Sequence, residues 1–257
     1  MERKTAIVTG GTRGIGFGIV RKLAENDCNL AIFADESADE AGDALEHLNK
    51  QKASYVYIQG DLANLEDHQR LLNGAMERFG RVDMLVNNAG VISLYRQDLM
   101  LLGSESFDYV MNTNLRGTFF LTQKIAAHMI GQEEINGYRG IIINIESSNS
   151  TVVSLNRGEY CMSKAGLSMM TQLFAARLGR ESIFVYGIRP GIIETRNTLR
   201  AKEKFDAIVS GDELTINRWG QPEDCAEAVW ALCNNDLRYC TGTIINVDGG
   251  LIQRRSL

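Results

Sequence analysis

Three residues near the middle of the chain have the types and spacing of a proton-transfer device: Ser147, Tyr160 and Lys164. The apolar run at 141–145 reads as a buried strand, which leaves Ser147 just past its carboxyl end. From Tyr160 onward the pattern is helical, and residues four apart share one helical face. Tyr160 and Lys164 can therefore point together at a group near Ser147. A free tyrosine has a pKa of about 10 and is a poor acid–base catalyst near neutral pH. A nearby ammonium favours the phenolate and brings such proton transfer within reach. The same Tyr-x-x-x-Lys spacing also fits an ordinary amphipathic helix. The triplet gains chemical meaning only if a cofactor site exists elsewhere in the chain.

A candidate for that site stands at the beginning. The strand Thr5–Thr9 runs into GGTRGIGFGIVRKLAEN, whose later part is a helix with Ile15, Ile19, Val20 and Leu23 on its apolar side. Gly10, Gly14 and Gly16 form a G-x-x-x-G-x-G turn between the two. Glycines there let the backbone bend tightly and let a pyrophosphate approach amides at the helix start. A second strand, Asn29–Ala34, is followed by Asp35 and Glu36. An acid some twenty residues beyond the glycines accepts hydrogen bonds from an adenosine ribose and repels a 2′-phosphate. Asp35 thus tilts the cofactor from NADP(H) towards NAD(H), whereas Arg13 in the glycine loop pulls the other way. A helix cap at a surface loop is the structural alternative for Asp35.

The remaining elements place these groups. A helix is expected at 38–50, a third strand at Tyr55–Gln59 leading to Asp61 and Leu62, and a helix at Leu65–Phe79. The fourth strand, 84–86, ends in Asn87, Asn88, Ala89 and Gly90, small and polar residues that can abut a cofactor or brace the sheet. A helical pair spans 105–129; asparagine is a weak helix former, so Asn114 within it predicts a local kink. The Tyr160 helix extends to 178, and a sixth strand, 184–188, is followed by Pro190 and Gly191. Residues 195–217 are polar and weakly periodic, and read as a mobile substrate lid of one or two helices or as a surface excursion. A helix at 223–232 and a strand at 243–247 follow. Strands and helices alternate throughout, which predicts an α/β fold: one domain over 1–257 with a doubly wound seven-stranded parallel sheet and helices on both faces.

The formal charge of −5 and a pI near 5.4 argue against a nucleic-acid partner. No apolar run reaches the roughly 18 residues of a membrane span. The five cysteines show no C-x-x-C pair, which suits reduced thiols better than disulfides or a zinc site, and no metal is expected. Cys161 adjoins Tyr160 but has no histidine near it in sequence. The start of the chain lacks a signal-peptide apolar region, so a cytoplasmic location is expected.

Taken together, TGGTRGIG at 9–16, NNAG at 87–90, Asn114, Ser147, Tyr160-x-x-x-Lys164, Pro190-Gly191 and the stretch WGQPEDCAEAVWALCNNDLRYCTGTIINVDGG resemble the short-chain dehydrogenase/reductase family, over nearly the whole chain. The resemblance implies a Rossmann-type fold and a nicotinamide-dependent oxidoreductase acting on a ketone or secondary alcohol. It implies that Tyr160 is the general acid–base, that Ser147 polarises the carbonyl oxygen, and that Lys164 lowers the tyrosine pKa and binds the nicotinamide ribose. Asn114 would hold a water in a proton relay. Gly10, Arg13, Gly14, Ile15 and Gly16 would line the pyrophosphate and adenosine side, with Asp35, Asp61 and Leu62 beyond. Asn87, Ala89 and Gly90 would follow, and Pro190, Gly191, Ile193 and Thr195 would meet the nicotinamide end. A homotetramer built on the helices that start near Phe107 and Tyr160 is also implied.

Two positions depart from the family pattern. The residue before the serine, usually small, is Glu146, which puts a carboxylate near the substrate side. Ala34 occupies the usual place of the NAD-selecting aspartate, with Asp35 one position late. Within the family the chain looks most like 3-oxoacyl-[acyl-carrier-protein] reductases. An acidic carrier protein prefers a basic dock, however, and Glu133 and Glu134 add negative charge to an acidic chain. Glu146, Asn156, Arg157 and Glu159 would suit a sugar, polyol or hydroxy-acid substrate, which makes a sugar or polyol dehydrogenase the alternative. A dinucleotide-sensing protein without turnover is a third reading. Such relatives typically lose the tyrosine or lysine that this chain keeps.

Overall fold

In the computed structural model, which describes residues 3–199, 201–211, 214–234 and 237–251, seven strands form one parallel sheet in the order β3-β2-β1-β4-β5-β6-β7. They are β1 (Thr5–Thr9), β2 (Asn29–Ala34), β3 (Tyr55–Gln59), β4 (Met84–Asn87), β5 (Gly140–Ile145), β6 (Ile183–Pro190) and β7 (Ile244–Val247). The order reverses between β1 and β4. At such a switch point, connections leave in opposite directions and open a crevice beyond the carboxyl ends of the strands.

Near-continuous apolar runs mark strands buried on both faces. In β1, Ala6 and Val8 pack on one side with Ile19, Leu23 and Val229, while Ile7 packs on the other with Leu71, Leu121 and Ile125. Helices α1 (Gly14–Glu25), α2 (Gly42–Lys50) and α9 (Pro222–Cys233) therefore cover one face. Helices α3 (Leu65–Phe79), α5 (Thr118–Ile130) and α6 (Gly158–Leu178) cover the other. The remaining helices are α4 (Ser104–Met111), α7 (Arg196–Leu199) and α8 (Lys202–Ser210).

Two differences from the sequence expectation are local. Helix α2 begins at Gly42 rather than at 38, because the Glu40 carboxylate accepts from the Ser37 amide (2.8 Å) and hydroxyl (2.9 Å). This turn offers the backbone an alternative to helix. The helical pair is continuous, but residues Asn112–Gly117 form a π-helical turn where a kink at Asn114 was expected. The segment 195–217, expected to hold one or two helices, holds two, α7 and α8, with non-helical chain at 214–217; Arg200, Asp212 and Glu213 lie outside the described residues. No described helix is long and apolar enough to cross a membrane.

Candidate active site

The carboxyl ends of the strands open onto a cleft of about 1010 Å³, bounded at one end by the glycine turn and at the other by Ser147 and Tyr160. Gly10 and Gly14 take φ of +64° and +53°, a region that side chains rarely enter. A Cβ on Gly16 would run into the Gly10 carbonyl and the Asn88 amide. Asn88 is the clamp of this turn. Its side-chain amide donates to the Thr9 (2.9 Å) and Gly10 (3.0 Å) carbonyls, tying the glycine turn to the end of β4. The first turn of α1 has no side-chain cap and no acidic residue. Its free amides and dipole favour an anion there. Glycine backbone, uncapped helix start and cleft together fit the pyrophosphate of a nicotinamide dinucleotide.

At the adenosine end, Asp35 lines the cleft but Glu36 is the better engaged acid. The Glu36 carboxylate pairs with the Arg13 guanidinium and accepts from the Thr12 hydroxyl at 2.6 Å. Arg13 lies 4.0 Å from Asp35 as well. Ile15, Asp61, Leu62, Ala89 and Gly90 line the same cleft, and Pro190, Gly191, Ile193 and Thr195 close its other side. Asn87 does not reach the cleft. Its side chain is buried and donates to Thr122 Oγ1 and Asn144 Oδ1, both at 2.8 Å, so it braces the sheet beneath α5.

Ser147 starts the short 3-10 turn Ser148–Ser150, its hydroxyl accepting from the Asn149 amide at 3.1 Å. Tyr160 and Lys164 sit one turn apart on α6, with the Lys164 ammonium 5.9 Å from the tyrosine ring centroid. Lys164 is buried, and its ammonium donates to the Ile145 carbonyl at 3.0 Å. The π-helical turn aims the buried Asn114 at the loop after Gly90. Its Oδ1 accepts from the Val91 amide (2.7 Å), and its Nδ2 donates to the Val91 carbonyl (2.9 Å) and to Ser163 Oγ (3.2 Å). Asn114 thus fastens the α4–α5 rod to α6 and to the loop beside the cleft.

Two carboxylates expected near the substrate are turned inward. Glu146 lies at the end of β5 with a fully buried side chain that accepts from the Ser168 and Thr171 hydroxyls and pairs with Arg189 (3.3 Å). Burial pushes its carboxyl above the usual range, against these donors. Strand alternation carries it there: Asn144, two residues earlier, also meets Thr171, at 2.9 Å. Glu159, 1% exposed, accepts from Ser106 Oγ at 2.7 Å and locks α6 onto α4. Arg96 lines the cleft although no motif pointed to it; the available signal was its place in the connection after β4. Cys161 is half-buried, its thiol directed at the Ser154 carbonyl. Among the described residues no acidic, histidine and cysteine cluster could hold a metal ion.

The crevice at the switch point and the groups at its rim define a class, an oxidoreductase that uses a nicotinamide dinucleotide. A family model described as enoyl-(acyl carrier protein) reductase matches residues 10–252. The chain is 34% identical to a 2-dehydro-3-deoxy-D-gluconate 5-dehydrogenase of Escherichia coli (strain K12), over 99% of this chain and 97% of that one. A solved 3-oxoacyl-[acyl-carrier protein] reductase from Brucella melitensis in complex with NAD superposes with a TM-score of 0.94 at 38% identity, covering 100% of both chains. A solved Agrobacterium tumefaciens protein described as a putative 2-deoxy-D-gluconate 3-dehydrogenase with bound NADP gives a TM-score of 0.85 at 32% identity, over 99% and 98%. The chain belongs to the short-chain dehydrogenase/reductase family.

Proposed function

We propose that this oxidoreductase interconverts a ketone and a secondary alcohol at Ser147 and Tyr160, with NAD(H) as the favoured cofactor. A nicotinamide dinucleotide, held by the glycine turn and Lys164, would supply the hydride chemistry. Every other task falls to the protein. In the oxidative direction the Tyr160 oxygen takes the alcohol proton as the carbonyl forms; in reduction it gives that proton back. Ser147, whose backbone is fixed by its own short turn, donates to the same oxygen and stabilises charge developing on it. The Lys164 ammonium stabilises negative charge on the tyrosine oxygen and reaches the ribose. Asn114, its amide already committed to Val91 and Ser163, supports a proton relay through its position in the π-helical turn. The observation that carries this reading is the meeting of Ser147 and Tyr160 at one end of the cleft whose other end is the glycine turn.

The lean to NAD(H) is supported by the Arg13–Glu36 pair. Its own acid neutralises the one cation of the glycine turn, and Asp35 adds a carboxylate beside it. Helices α7 and α8 supply the substrate lid, and 1–257 acts as a single domain. Assembly as a cytoplasmic homotetramer is supported by the exposed apolar residues of α5 and α6, Phe120, Met162, Met169 and Leu173, which a partner would cover.

The test is Tyr160→Phe, assayed with NAD and NADP on a panel of ketones and alcohols beside a titration of cofactor binding. Activity should fall by about 10²–10⁴-fold with cofactor binding retained. Full activity in this variant would overturn the mechanism.

A further inference from the structure

The chain is acidic overall, yet the substrate end of its cleft is lined by cations. Arg96, in the connection after β4, and Arg157, at the start of α6, both line the cleft with Ser147 and Tyr160, and Lys204 of α8 lines it too. The Arg157 guanidinium stands 5.5 Å from the Tyr160 ring centroid and donates to Asn149 Oδ1 at 2.9 Å. Among the described residues neither arginine has a carboxylate within ion-pair distance. The acids of the cleft are spoken for or far from this end. Glu146 is held by Arg189, Ser168 and Thr171, while Asp35 and Asp61 belong to the glycine-turn end.

Two guanidiniums that face one cavity repel each other. Partial burial and the charge of Arg157 together push Arg96 below the ordinary arginine value. Such a pair is a cost to the free protein that an anion between them relieves. Planar guanidiniums match a carboxylate through paired hydrogen bonds.

We propose that Arg96 and Arg157 bind a carboxylate of the substrate, so that the alcohol or ketone oxidised or reduced at Tyr160 belongs to a small hydroxy or oxo acid. This rests on the reading of Ser147 and Tyr160 as the reaction centre and specifies what that centre receives. Arg157 serves in two ways, since its stacking over Tyr160 places the anion close to the reacting carbon. In oxidation the carbinol carbon gives a hydride to NAD and its hydroxyl proton passes to Tyr160; the carboxylate keeps its charge throughout. A neutral polyol of the same length lacks the group both arginines await. An oxoacyl thioester offers a carbonyl but no carboxylate at this position.

The experiment pairs substrates that differ only in the acid. D-gluconate is compared with D-glucitol, and 3-hydroxybutyrate with its methyl ester, together with acetoacetyl thioester reduction, in the wild type and in Arg96→Gln. Thermal protection by the same compounds is measured in the presence of NAD. The wild type should prefer the acid of a pair, and Arg96→Gln should lower that preference about tenfold or more, chiefly through KM. Protection by an acid should likewise fall in the variant, which gives an answer even where turnover of the probe is slow. Cofactor titration in Arg96→Gln verifies the fold. Equal use and equal protection by acid and neutral partner, or fast thioester reduction indifferent to Arg96, would overturn the carboxylate assignment and leave the reaction centre standing. Loss of all turnover in the wild type beside intact acid protection would strike the reaction centre instead.

Discussion

Glu146 shows how a charged residue next to a proposed catalytic serine can belong to the scaffold. Its side chain is fully buried and contacts two hydroxyls and Arg189, and burial still holds its carboxyl above the usual range. A raised folded pKa means that the native state binds this proton more tightly than the unfolded chain does. The group's contribution to stability is therefore fully present below its unfolded value, about 4.3, and is lost as the pH rises through the folded one. In urea unfolding between pH 4.5 and 8, Glu146→Gln should lack that decline, and its stability relative to wild type should improve with pH. Glu146→Ala should cost about 3 kcal/mol at neutral pH, because Arg189 and the Ser168 and Thr171 hydroxyls lose their partner. An unchanged pH slope in the glutamine variant would refute the argument. The placing of Tyr160 and Lys164 on one helical face could be read from their spacing, since they need only one helical turn to meet. The inward turn of Glu146, Glu159 and Asn87 was hidden, because it depends on which face of a strand or helix looks at the cleft. The alternation from Asn144 to Glu146 was the one visible signal.

At the scale of elements, the informative segment is the π-helical turn at Asn112–Gly117. It admits one extra residue per turn, and such bulges inside α-helices commonly sit at functional sites. Here it carries Asn114 inward to Val91 and Ser163. It also brings Gly117 so close to the Leu62 carbonyl that a Cβ could not be placed. Gly117→Ala should destabilise the fold by about 1–3 kcal/mol through overpacking, measured by denaturant midpoint. Asn114→Ala should lower kcat more than it raises the KM for cofactor, because the loop beside Lys164 loses its anchor. Equal stability of the alanine variant at 117 would show that the close approach is dispensable. Asparagine's poor helix propensity announced a kink here but not its kind. The strands were legible because the central ones are short apolar runs, with β1 followed by Gly10 and β4 ending in Asn87. The start of α2 was misplaced because the Ser37–Glu40 turn competes locally with helix, which periodicity does not register.

For the molecule as a whole, the order β3-β2-β1-β4-β5-β6-β7 divides the labour. Strands β1 to β3 frame the glycine turn and its acids, while Ser147 follows β5, and Tyr160 and Lys164 stand on α6 in the crossover to β6. The two halves meet at β1 and β4, where Asn88 fastens one to the other. Alternation of strands and helices made this architecture readable, and the glycine turn fixed where it starts. The cationic end of the cleft was not readable, since Arg96 and Arg157 lie sixty-one residues apart and only the fold brings them to one cavity. The buried node around Glu146 reaches further than its hydrogen bonds. It joins the end of β5, the body of α6 and the last residues of β6, so the three segments that surround the proposed reaction centre share a single polar knot. A knot of this kind cannot be loosened from one side. In native-state hydrogen exchange, the slow amides of Ile145, Leu167 and Ile188 should open together with one free energy, as one cooperative unit. In Glu146→Ala they should separate into independent openings. The reaction centre would then come apart piece by piece, well before the chain as a whole unfolds.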